Sequence, residues 1–236
     1  MKKPLSLTLL DWWRRPGARA RAPLARLSDE DWALALHWLP FLARLDAETN
    51  TRVRSLAAEL LARKQFTGAG GLEVEPGMAL LIAVQAVLPV NRLGLRWYDD
   101  FSEIIVYPSE FIVDREVSDD LGLVSRQNEV LSGEAMHGGP VVLSWIDASN
   151  PGEGDHAYNV VIHEFAHKLA LADGEADGCP PLGAAERARW LDTLEAAYDD
   201  FCQRLAAVEP SIPADVDPES EAADPYWARL PLDAYA

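Results

Sequence analysis

Residues 156–171 recur with the 3.6-residue period of a helix, and at the centre lies His163-Glu164-Phe165-Ala166-His167. Side chains at i and i+4 point the same way, one turn apart. Two imidazoles so placed can both reach one Zn²⁺ at ~2.0–2.1 Å. Glu164 follows the first imidazole, so its carboxylate can reach a zinc-activated water without ligating the ion. It can take a proton as that water attacks a carbonyl and return it to the leaving amine. Phe165 and Ala166 are expected on the core-facing side, with Val160, Val161, Ile162 and Leu169 around them. With 5 histidines in 236 residues, chance coincidence of this pattern on an apolar helix is a poor explanation. A tetrahedral catalytic site takes three protein ligands and a water. No histidine continues the motif as H-E-x-x-H-x-x-G-x-x-H. The third ligand is then an acid, or His37, His137 or His156 from upstream. Glu195 is available on a later helix that reads as solvated.

Composition narrows the partners. Apolar residues make up 49% and charged residues 25%, enough for a full core. The 21 Lys and Arg stand against 38 Asp and Glu, a formal charge of −17. Such a field repels a phosphate backbone, so direct nucleic-acid binding is not expected. Lys2, Lys3, Arg14, Arg15, Arg19, Arg21 and Arg26 are the only basic cluster, and they are scattered. No apolar run approaches the ~18 residues that span a bilayer, so no membrane association is expected. The stretch 5–10 is broken by Ser6 and Thr8 and stops at Asp11, too short for a secretory signal. Cys179 and Cys202 are too few for a disulfide framework, and the expected location is the cytoplasm.

Ser28 followed by Asp29, Glu30 and Asp31 predicts a helix start. A second helix is expected from about Thr51. A third, over 78–87, is apolar nearly all round and therefore central. Gly68, Gly70 and Gly71 read as a connector. Residues 104–107, 111–113 and 141–145 read as strands, 114–139 as irregular or a hairpin excursion, 184–205 as a helix and 208–231 as an extended surface loop. Segment 139–145 is either a plain core strand or an edge along which a peptide backbone could pair. Three helices, then strands, then helices reads as α+β. Residues 1–90 form an N-terminal helical part packed on a catalytic part, 91–236, or the whole is one single domain.

The run Asn159-Val-Val-Ile-His-Glu-Phe-Ala-His-Lys-Leu169 has companions in Leu131-Ser-Gly-Glu134, Gly139-Pro-Val-Val-Leu-Ser-Trp145, Ile104-Ile-Val-Tyr-Pro108 and Asp233-Ala-Tyr-Ala236. Together they resemble the Mlc titration factor A family of zinc-dependent peptidases. The resemblance extends from about residue 30 to Ala236. It implies a zincin-like, gluzincin-type metallopeptidase domain related to the anthrax lethal factor catalytic domain, with a small sheet and an active-site H-E-x-x-H helix. It also implies aminopeptidase-like activity on peptide substrates, one Zn²⁺, and, as the alternative, a regulatory protein that sequesters a glucose-type transcription repressor of the Mlc kind. His163 and His167 become zinc ligands and Glu164 the general base. Tyr235 becomes a hydrogen-bond donor to the developing oxyanion; without the resemblance it is an ordinary chain-end aromatic. The family's third ligand is a glutamate shortly after the Asp-Ala-Tyr-Ala motif, past Ala236, so the catalytic part is expected to be C-terminally incomplete. Ala170 stands where family members commonly carry Asp; losing such a ligand-orienting partner would weaken metal affinity ~10–100-fold.

Overall fold

The computed structural model describes residues 26–118, 124–150, 159–175, 178–218 and 221–227. Helix α1, Asp29–Trp38, starts on a capping box: Ser28 Oγ accepts from the Asp31 N–H at 3.0 Å, and the Asp31 carboxylate accepts from the Ser28 N–H at 3.2 Å. Helix α2, Ala47–Arg63, starts four residues before Thr51, because Asp46 accepts from the Thr49 N–H at 2.8 Å. Helix α3, Pro76–Ala86, has Pro at its first turn, and every residue from Ala79 to Ala86 is buried. It is the central helix that its composition predicts.

Strand β1, Gln65–Gly68, precedes the Gly68–Gly71 connector and has no counterpart in the strands read from sequence. Only Phe66 among its residues is large and apolar, too little for a strand signal; its pairing comes from β2, Glu103–Tyr107. Strands β3 (Phe111–Ser118) and β4 (Val124–Leu131) pair antiparallel, so most of the segment read as irregular or a hairpin excursion pairs as the strands of a hairpin. After Ser132 the chain enters β5, Gly133–Ala135, then β6, Val141–Ser144. The main sheet runs β1-β2-β6-β5, with β1, β2 and β6 parallel and β5 antiparallel to β6. Trp145 does not extend β6 but opens the short helix α4, Trp145–Ser149, capped by Ser144.

Helix α5, Val160–Ala170, carries the histidines, and α6, Ala184–Val208, is a long helix with no buried residue. The later segment is not all extended: single 3₁₀ turns occupy Glu209–Ser211 and Glu221–Ala223, and α7 spans Asp224–Trp227. The result is an α+β arrangement. Apolar residues from Leu27 through Leu169 form one buried cluster shared by α1, α2, α3, the sheet and α5. At the seat of α5 the Phe165 ring packs edge-on against Tyr98 at 5.0 Å and Phe101 at 6.0 Å. Among the described residues no helix is long and apolar enough to cross a membrane.

Candidate metal centre

Helix α5 begins on Asn159, whose Oδ1 accepts from the Ile162 N–H at 2.9 Å. Its exposed stripe is His163, Ala166 and His167, spaced i, i+3, i+4, while Glu164, Phe165, Lys168 and Leu169 are buried. Phe165 faces the core as expected. Ala166 does not, because at ~100° per residue it falls ~60° round the helix from His163, on the exposed side.

The imidazoles of His163 and His167 stand with Nε2 atoms 3.1 Å apart and rings nearly perpendicular. Two nitrogens each ~2.05 Å from a tetrahedral centre must lie ~3.3 Å apart, so this pair fits two ligands of one zinc ion. Burial first, then the neighbouring His167, holds the His163 ring below its ordinary pKa. That favours the neutral form a metal requires.

Glu164 is only 4% exposed. Its carboxyl is pushed up to about 7, by burial first and by the charge of Glu134 second, against a hydrogen bond donated by the Ala135 N–H. It lies flat on strand β5: a Cβ at Gly133 would fall 2.6 Å from Glu164 Cγ and Oε1. Only a glycine lets strand and carboxylate approach so closely.

The neighbouring Lys168 is fully buried yet turns away from Glu164. Its Nζ donates to Asp100 Oδ2 at 2.5 Å, Met136 O at 2.8 Å and Gly139 O at 3.3 Å, and lies 4.8 Å from the centre of the Phe101 ring. It ties α5 to the β5–β6 turn. Nothing in the sequence singles it out except its i+4 spacing from Glu164.

The remaining candidates separate from this pair. His137 Nδ1 bonds to Leu171 O at 2.8 Å, His37 packs edge-on to Trp38, and Glu195 is exposed on α6. His156 and Tyr235 lie outside the described residues. Among those described, no three His, Cys, Asp or Glu side chains converge as a metal-holding group. Segment 139–145 is not an edge: β6 lies between β2 and β5, and all four of its residues are buried. The edge is β5. Ser132 O accepts from the Ser144 N–H and the Met136 N–H reaches Pro140 O, so pairing alternation turns the backbone of Gly133 and Ala135 outward.

Residues 10–231 match the family described as glucose-regulated metallo-peptidase M90. The chain belongs to the M90 metallopeptidase family. It is 37% identical to the Mlc titration factor A of Klebsiella pneumoniae over 206 residues, which cover 87% of this chain and 74% of the relative. Against the protein of the same name from Cronobacter sakazakii it is 34% identical over 230 residues, 97% of this chain and 81% of the relative. The resemblance read from the motif blocks is thus a family membership. A metallopeptidase family implies a metal, usually zinc, and the M90 chain presents the α5 histidine pair as a donor set that fits one.

Proposed function

We propose that this M90 chain is a zinc-dependent peptide hydrolase that trims short peptides from their N-terminus. The observation that carries this reading is the pair of Nε2 atoms 3.1 Å apart, with the buried carboxyl of Glu164 on the same helix. His163 and His167 would hold the ion through Nε2, with a carboxylate as third protein ligand. When bound, zinc supplies a Lewis acid that polarises a carbonyl and makes water acidic near neutral pH. Glu164 receives the proton of the attacking water on its carboxylate and passes it to the leaving amine. The Ala135 N–H and the bare Gly133 backbone hold that carboxylate in one place. With the Ala135 N–H taken by Glu164, the outward carbonyl groups of β5 offer the substrate main chain acceptors to pair with. Tyr235, on the family pattern, donates to the developing oxyanion. Residues 1–90 and 91–236 act as one unit in this reading, and the working location is the cytoplasm.

Release of arylamine from amino-acid arylamides, with and without chelator, tests the proposal. Glu164→Gln should lower the rate by ~10²–10⁴-fold while zinc still binds. Undiminished activity in that variant refutes it.

The relatives' name favours a second reading, a regulatory protein that takes up an Mlc-type repressor. The formal charge of −17 suits a basic, DNA-binding partner. Capture of such a repressor unaffected by Glu164→Gln would support this role alongside hydrolysis; absence of any complex would remove it.

A further inference from the structure

Gln85 is an amide with no exposed surface, set among Ala79–Ala86 in the most apolar helix of the fold. Burying an amide costs free energy unless it is paired, and this one is. Its Nε2 donates to Leu81 O and to Ala148 O, both at 3.1 Å, and its Oε1 accepts from Asn159 Nδ2 at 2.8 Å. Asn159 then presents its other end to the metal-site helix: Oδ1 takes the Ile162 N–H at 2.9 Å, while its backbone O takes the His163 N–H at 3.0 Å. Helices α3, α4 and α5 meet in this one chain of amides.

The polarity runs in one direction. Gln85 cannot flip, because its Oε1 would then face the Leu81 and Ala148 carbonyls. Asn159 cannot flip either, because its Oδ1 would face Gln85 Oε1 and the helix would lose its cap. The Ile162 N–H is one of the first-turn donors with no backbone partner inside the helix, so it depends on the Asn159 side chain, and the His163 N–H then makes the first i→i−4 bond of α5, to Asn159 O. We infer that Gln85, acting through Asn159, is a positioning residue that holds His163 in register with His167 for metal binding. This rests on the zinc reading above.

Zinc affinity, read by competition with a chromophoric chelator, and amide hydrogen exchange test it on Gln85→Met and Asn159→Asp. Gln85→Met keeps the shape and removes the pairing. Asn159→Asp is the sharper variant and spares the core: a carboxylate caps a helix as well as an amide does, and its charge favours a nearby dication, yet it sets an oxygen against Gln85 Oε1. The expected result is zinc binding weakened about tenfold or more in both variants. Exchange should rise about tenfold at the Ile162 and His163 amides while α3 keeps its protection. Unchanged zinc affinity, equal or tighter binding by Asn159→Asp, or exchange rising uniformly through the core would each overturn the inference. Should the unmodified protein take up no zinc, the peptidase reading falls, and the Ile162 and His163 exchange alone then decides the clamp. If Gln85→Met does not fold, Asn159→Asp decides it.

Discussion

An alanine at 133 would place its Cβ 2.6 Å from Glu164 Cγ and Oε1, closer than any side chain tolerates. Either β5 or the Glu164 carboxylate must then move. Gly133→Ala is expected to cost about 1–3 kcal/mol in urea unfolding and to lower hydrolysis by far more than that stability loss explains, with zinc uptake retained. Lys168→Met leaves Asp100 and two carbonyls without their cation. Breaking such a buried pair costs about 3–5 kcal/mol, and the lower end is expected because Asp100 is partly exposed. Equilibrium denaturation would measure it. At this scale the sequence carries half the site. His163, Glu164 and His167 are legible because a helix fixes i and i+4 locally. Gly133, Ala135 and Gln85 are not, because they reach α5 from 31, 29 and 74 positions away in the chain, through pairings that no local pattern records.

Among the elements, caps decide where helices start. Asp46 accepts from both the Thr49 N–H and its hydroxyl, and these bonds, backbone first, hold its carboxyl below the ordinary value of 3.8. A carboxyl depressed on folding stabilises above its unfolded pKa, and that contribution is lost as pH falls through the folded value. Thermal melts between about pH 5 and pH 3 should therefore show an acid-sensitive component of α2 that Asp46→Asn removes, since Asn still caps but does not titrate there. Sequence-level reasoning reads α1, α3, α5, α6 and β2 because their periodicity or capping is local. It misses β1, whose Gln65-Phe-Thr-Gly68 run is a strand only because β2 is beside it. It also takes β6 as a possible edge: alternation along one strand cannot reveal that strands flank it on both sides.

For the whole molecule, the charge of −17 and the zinc ion of the proposed function set the expected behaviour in solution. Zinc that binds only the folded chain stabilises it by about 2.7 kcal/mol at a hundredfold excess over Kd. Added zinc should raise the melting temperature, chelator should return it, and His163→Ala should abolish the increment. If a basic repressor binds the acidic surface, its association rate should fall steeply with added salt, measurable by stopped flow.

By itself the sequence determined that two imidazoles and a carboxylate share one helix, that the family is a metallopeptidase family, and that the chain is acidic. Each follows from local spacing, motif blocks or a count of residue types. Only the tertiary structure decided which strand borders the carboxylate, that Lys168 turns from Glu164 to Asp100, and that Gln85 reaches the helix cap. Those outcomes depend on which distant backbone and side-chain groups share a buried space, where every polar atom must find a partner.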